Sequence, residues 1–118
     1  MVGYDGAELL DIACVTSTLD MAGRIARQPL YRVDVVTPAG RPIRCDSGLS
    51  LNAAGALHDT TGRLDTLVVS GGHGHDDAAA NPVLVAHVRR LAAVARRRGL
   101  SSARQRSAGS NPHPPSRR

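Results

Sequence analysis

Residues 64–74 read LDTLVVSGGHG, a short apolar and β-branched run that ends in two glycines. Such a run is typical of a buried strand in a parallel sheet, and the carboxyl ends of such strands are where these sheets place their sites. Because glycine has no Cβ, the backbone N–H groups of Gly71 and Gly72 can approach an anion or a developing oxyanion. A tight turn that merely requires glycine explains the same pair.

The sequence around this stretch predicts alternating helices and strands. Apolar residues recur every three or four positions over residues 9–27, which predicts an amphipathic helix, and Asn81 followed by Pro82 predicts the start of another. The predicted elements are a strand end at residues 1–4, the helix at 9–27, a strand at 31–37, two short strands or a hairpin at 43–52, the strand at 64–69 and a helix at 81–98. This order predicts an α/β fold with a mostly parallel sheet.

The basic charge of the chain is concentrated at its carboxyl end. Residues 1–95 hold eight arginines and ten acidic residues, whereas residues 96–118 hold seven arginines and no acid, so the tail accounts for the net charge of +5. Residues 99–118 show no period, and we predict a disordered Arg/Ser/Pro-rich tail behind a domain at residues 1–98. Without aromatic residues the tail would bind nucleic acid only non-specifically, through phosphates.

An ordinary disordered tail is one explanation of residues 99–118. We favour another, that the reading frame is shifted after Arg97 in a GC-rich gene, since the chain has arginine but no lysine. A sheet that stopped at residues 64–69 would leave a strand edge unpaired, which predicts marginal stability or association. The sequence shows neither a membrane span nor a secretory signal, so we expect a cytoplasmic location.

A set of short motifs then occurs in a characteristic order. They are Tyr4-Asp5-Gly6, Leu9-Leu10-Asp11-Ile12-Ala13, residues 31–37 with Gly40, Ser47-Gly48-Leu49, and residues 65–69 with Gly71-Gly72. Together they resemble the amidase-like domain of the PfpI and class I glutamine amidotransferase-like superfamily, nearest to the version that precedes the DNA-binding helices of AraC-type transcriptional regulators. The resemblance covers about residues 1–98 and implies part of a flavodoxin-like three-layer sandwich, commonly dimeric.

The resemblance also implies the positions of a site. Asp11 matches the acid that assists a nucleophilic cysteine, although a helix cap explains an aspartate at this place too. Gly72 with His73 matches the turn that helps to form an oxyanion hole. The nucleophile has no counterpart, because residues 98–109 contain no cysteine, and Cys14-Val15 stands where the family often has Gly-Pro.

We therefore expect a non-catalytic fragment of a ligand-sensing domain, with no cofactor. Its expected partners are a small-molecule effector and either a second copy or the missing half of the domain, while DNA would be read by a domain absent from this chain. An enzyme remains the alternative, a thiol-dependent hydrolase or hydratase acting on amide-like or isonitrile-like substrates with Cys14 as an unconventional nucleophile. A mid-helix cysteine is more often a small buried hydrophobe, and Cys45 is a weaker candidate.

The run from His73 to Asp77 suggests a second kind of site. His73, His75, Asp76 and Asp77 offer nitrogen and oxygen donors that suit zinc. A structural zinc site needs further ligands, and His58 is the only obvious one, so an exposed polar loop is the favoured explanation. We expect His87 to be a packed or surface residue of the last helix.

Overall fold

The structure is a computed structural model that describes residues 1–100, and Leu100 by its backbone only. The helices are α1 (Leu9–Ala26), α2 (His75–Ala80) and α3 (Pro82–Val94). The strands are β1 (Val36–Thr37), β2 (Ile43–Arg44), β3 (Ser50–Leu51), β4 (Gly55–Ala56), β5 (Leu64–Val69) and β6 (Ala95–Leu100). Of the predicted tail at residues 99–118, residues 101–118 lie outside the part of the chain that the structure describes.

One parallel sheet organises the chain, with the first residues at its centre. Val2 forms parallel bridges to Val36 of β1 and to Val69 of β5, which confirms the strand end predicted there. β1 pairs in parallel with β4, and β5 with β6. The order across the sheet is therefore β4, β1, the Val2 segment, β5 and β6.

The two long helices lie on opposite faces of this sheet. α1 connects the Val2 segment to β1, and α3 connects β5 to β6, so the two crossovers run in opposite directions. Right-handed crossovers of opposite direction place their helices on opposite faces, which gives three layers. The core between the layers consists of Val2, Tyr4, Ala7, Ile12, Val36, Ile43, Leu57, Leu67, Leu84, Leu91 and Ala95.

Both long helices begin as local chemistry requires. The side chain of Glu8 accepts the Leu10 N–H at 3.1 Å and caps α1. The Asn81 side chain accepts the N–H groups of Val83 and Leu84, each at 3.1 Å, and Pro82 occupies the first position of α3. The predicted start of α3 is therefore confirmed.

The predicted end of the last helix is wrong. α3 ends at Val94, and residues 95–100 form β6, in register with β5 from Leu64 opposite Ala95 to Val69 opposite Leu100. Alanine and arginine favour helix, but pairing with β5 overrides that weak preference. β5 itself is less buried than its sequence predicts, since Leu67 is buried whereas Asp65 and Thr66 are exposed. β5 is thus paired with β6 from Leu64 to Val69, so the edge expected to be free is covered on that side. On its other side β5 is paired only at its carboxyl end, where the Val2 N–H donates to the Val68 carbonyl and the Ser70 N–H donates to the Val2 carbonyl.

Residues 31–37 supply a shorter strand than their alternation predicts. Only Val36 and Thr37 are extended and paired. The Val36 N–H donates to the Met1 carbonyl at 2.9 Å, and the Gly3 N–H donates to the Val36 carbonyl at 3.0 Å. Among residues 31–37, those before Val36 form no strand in the part of the chain that the structure describes.

The predicted hairpin is confirmed and is antiparallel. Ile43 pairs with Leu51, and Arg44 pairs with Ser50. The hairpin is held at the end of the central segment, because the Gly6 N–H donates to the Arg44 carbonyl at 2.8 Å and the Arg44 N–H donates to Asp5 Oδ1 at 3.0 Å. It brings Cys45 and Asp46 to the carboxyl edge of the sheet.

Candidate functional site

The strand order reverses between the Val2 segment and β5. From the Val2 segment the chain moves to β1 on one side, and the later strands β5 and β6 lie on the other. In open parallel sheets the crevice outside such a switch point is where ligands bind. Residues 4–8 follow the central segment there, and residues 70–74 follow β5, so the stretch that predicts the fold also ends at the candidate site.

We call the junction of residues 4–8 with residues 70–74 the glycine corner. Its glycines are required by close backbone packing. Gly72 has φ +132°, and a Cβ added there would lie 2.5 Å from the Glu8 nitrogen and closer still to the Gly6 carbonyl oxygen. The Glu8 N–H donates to the Gly71 carbonyl at 2.8 Å, and the Gly74 N–H donates to the Gly6 carbonyl at 3.0 Å. Glycine is therefore required here by the tight junction between two turns. The predicted role of Gly72 and His73 as an oxyanion-hole turn stays a prediction.

Tyr4 forms the floor of the corner. Its side chain is buried, and its hydroxyl donates to the Ser70 carbonyl at 2.6 Å. Burial raises the pKa of the Tyr4 phenol, and the nearby carboxylates of Asp11 and Asp46 raise it further. The phenol is therefore held neutral, as a structural donor that joins the two sides of the switch point.

Asp11 lies in the first turn of α1 but does not cap it, because Glu8 does. The capping explanation of Asp11 is therefore wrong. Its Oδ2 atom is buried and has no hydrogen-bond partner among the described residues. A buried carboxylate oxygen without a hydrogen-bond donor lowers the stability of the fold. Asp11 Oδ2 is therefore an acceptor that a hydrogen-bond donor of a ligand or of another chain could satisfy.

The two cysteines lie in different surroundings. Cys14 is exposed on α1, so the expectation that it is buried is wrong: it lies on the outer side of a helix whose buried residue is Ile12. Cys45 is buried, and burial together with Asp46 and Glu8 raises the pKa of its thiol. A reactive thiol needs an electropositive, accessible setting, and the setting of Cys45 is acidic and closed.

The histidines do not assemble with other donors. Among residues 1–100 no group of three or more His, Cys, Asp or Glu side chains is placed to hold a metal ion. His73 is exposed, and His75 Nδ1 lies 2.9 Å from the Gly72 carbonyl oxygen. His58 instead lies beside Asp59 and His87, its ring centroid 6.4 Å from that of His87, so the zinc alternative has no support in the described part of the chain.

Tyr4, Glu8 and Asp46 belong to the corner but were not singled out from the sequence as functional. Tyr4 occurs within a quoted motif, and its position directly after a strand is the signal that could have identified it. Asp46 could not be placed, because only the fold brings the hairpin to this edge: the Asp46 N–H donates to the Ala7 carbonyl at 3.1 Å. No helix in the described part of the chain is long and apolar enough to cross a membrane.

Two solved structures share this architecture. DJ-1beta of Drosophila melanogaster superposes with a TM-score of 0.57 at 22% identity, over 75% of this chain and 45% of that one. A candidate transcriptional regulator from Vibrio parahaemolyticus superposes with a TM-score of 0.62 at 21% identity, over 78% of this chain and 49% of that one. The chain has a DJ-1-type fold. This confirms the predicted α/β, flavodoxin-like fold with a mostly parallel sheet, and identities this low establish the fold alone.

One curated protein is similar in sequence. It is an uncharacterised protein encoded in the 5′ region of cpoL in Streptomyces lividans, 34% identical over 93 residues, which are 75% of this chain and 61% of that protein. The chain thus spans about three fifths of the length of this relative. No family model matches the sequence.

Proposed function

We propose that the chain is a non-catalytic part of the ligand-sensing amidase-like domain of an AraC-type transcriptional regulator. The observation that carries the proposal is the switch point itself, which holds a buried unpartnered carboxylate at Asp11 and a glycine corner at Gly72 but a thiol of raised pKa at Cys45. The DJ-1-type fold and the description of the Vibrio parahaemolyticus structure as a candidate transcriptional regulator support it. Such a domain responds to a small-molecule effector in the cytoplasm.

The proposed partner is a second copy or the missing half of the domain. Leu10, Met21 and Ile25 of α1 are exposed, and Cys14 lies on the same helix. Exposed apolar residues along one helix are typical of a surface that associates. DNA would be read by a separate domain of the longer protein.

The enzymatic alternative is weaker. A thiol-dependent hydrolase needs a thiolate beside an acid and an oxyanion donor. Cys14 is exposed on α1, and the acidic surroundings of Cys45 oppose thiolate formation. The nucleic-acid alternative gains one observation, because Arg96, Arg97 and Arg98 are all exposed on β6.

Restoring the reading frame tests the proposal. We expect the DNA after the codon for Arg97 to encode, in another frame, a Cys-Thr-Gly turn followed by a helix-turn-helix segment. The restored protein should bind a specific operator in a fluorescence anisotropy titration, and it should bind unrelated DNA about a thousandfold more weakly or worse.

The matched control is the restored protein with Cys14→Ser, which should bind the operator unchanged. Two results would refute the proposal: no continuation of the domain in either frame, or amide turnover by the present chain that Cys14→Ser abolishes. DNA binding by the present chain that deletion of residues 99–118 removes would favour the basic tail instead.

A further inference from the structure

A groove lies beside Met1, between residues 31–36 and β5, away from the glycine corner, and its lining includes residues of α1 and Leu91 of α3. Its volume is about 740 Å³, within the range of sites that bury small organic ligands. Val15 and Leu19 of α1 form one wall, and Val36, Leu64 and Val68 of the sheet contribute to the floor. The groove is therefore lined by apolar side chains over much of its base.

The carboxylates that line this groove already have partners. Arg32 lies 3.3 Å from an oxygen of Asp34, and Arg96 lies 3.3 Å from an oxygen of Asp65. The third carboxylate, Asp59, lies 3.2 Å from Nε2 of His58. Asp34 and Asp65 are thus paired with guanidinium groups, whereas the contact with His58 is an ion pair for Asp59 only when the imidazole is protonated.

Two guanidinium groups of the same groove are different. Arg63 and Arg97 both line it, and neither forms an ion pair or a hydrogen bond with another residue among positions 1–100. Residues 101–118 contain no aspartate or glutamate, so no acidic side chain there can pair with them. Since Arg97 faces Thr66 in the register of β5 and β6, and Arg63 directly precedes β5, both arginines lie on the β5 side of the groove.

We propose that this groove binds an amphipathic organic anion. Its apolar body would lie on Val15, Leu19 and Val68, and its carboxylate or sulfonate would be held by Arg63 and Arg97. Guanidinium groups bind such anions through charge-assisted hydrogen bonds, which are stronger than neutral ones. The inference names a class of effector for the proposed function. Binding of the anion does not depend on that function, but its role as a regulatory effector does.

The test uses a pair of fluorescent probes that differ in one charge. 8-Anilinonaphthalene-1-sulfonate is an amphipathic anion, and N-phenyl-1-naphthylamine is nearly the same molecule without the sulfonate. We expect the anion to bind the chain saturably, one per chain. The double variant Arg63→Gln/Arg97→Gln should weaken the anion about tenfold, which corresponds to about 1.4 kcal/mol, and leave the neutral probe within about twofold.

Arg89→Gln is the matched control, because Arg89 is an exposed arginine of α3 that does not line the groove. It should change neither probe. Circular dichroism of all variants keeps a folding defect distinct from a binding defect, and none is expected since the three arginines are exposed.

Three results would overturn the inference. The first is that the double variant binds the anionic probe as tightly as the unchanged chain does. The second is that Arg89→Gln weakens the anionic probe as much as the double variant does. The third is that probe binding is lost as the protein concentration rises, which would show that a second copy fills the groove. If the probe binds as expected but amphipathic anions do not change DNA binding by the restored regulator, the site stands and its assignment as the effector site fails. If the probe does not bind, this inference fails and the regulator is still tested by its operator.

Discussion

Gly72→Ala is expected to destabilise the protein by about 3 to 5 kcal/mol, the sum of backbone strain and overpacking. The backbone at Gly72 has φ +132°, a region that residues with a Cβ essentially do not adopt. The added methyl group would also meet the backbone of Gly6, Ala7 and Glu8, which belongs to the neighbouring turn and to the start of α1. The two sides of the switch point would have to separate to accommodate it.

Chemical denaturation followed by circular dichroism measures this change. Gly55→Ala is the matched control, because Gly55 lies in β4 with no atom within 4 Å of an added Cβ. Gly72→Ala should lose most of its cooperative unfolding transition, since a domain of this size has a stability of only about 5 to 10 kcal/mol. If the free energies of unfolding of the Gly72→Ala and Gly55→Ala proteins differ by less than about 1 kcal/mol, the glycine corner is not packed as described.

Leu91→Ala is expected to lower the free energy of unfolding by about 3 kcal/mol. The Leu91 side chain is 1% exposed and lies in the core with Leu67, Leu84 and Ala95, where α3 packs on β5 and β6. Truncation removes buried apolar surface and leaves a cavity that the short strands around it can fill only partly. The loss should appear in the midpoint of unfolding rather than in its denaturant slope.

Leu10→Ala provides the same change on an exposed helical position, where the side chain is 66% exposed. Its expected cost is below about 0.5 kcal/mol at low protein concentration. Equal costs for the two variants would place α3 away from the sheet and would contradict the three-layer arrangement.

The elements that the sequence predicts well are those whose pattern and packing agree. α1 has an apolar period over many residues, and β5 has a β-branched run bounded by glycine, so local preference and tertiary position point the same way. β6 fails this condition, because Ala95 and Arg96 favour helix and only the neighbouring β5 makes them extended. β4 consists of Gly55 and Ala56, which carry no strand signal, and it exists because β1 offers an edge.

The site is less predictable than the fold. The resemblance places Asp11 and Gly72 at one corner, and the structure brings their turns together, but local sequence could not reveal that Glu8 rather than Asp11 caps α1. Nor could it reveal that Cys14 is exposed, because α1 buries little more than Ile12 against the sheet. Of the two acidic neighbours of Cys45, Asp46 is adjacent in the sequence, whereas Glu8 is brought there only by the fold.

The central claim is that no cysteine of this chain serves as a nucleophile, and the pH dependence of thiol alkylation tests it most directly. The chain has two cysteines, and rates with iodoacetamide are measured for Cys14→Ser and Cys45→Ser proteins from about pH 5 to about pH 10. Burial, Asp46 and Glu8 raise the pKa of Cys45, so its thiol stays protonated through neutral pH and its thiolate fraction rises only at alkaline pH. We predict that Cys45, measured in the Cys14→Ser protein, shows no alkylation midpoint below about pH 7. A Cys45 thiol with a midpoint near pH 5 or 6 would contradict the account.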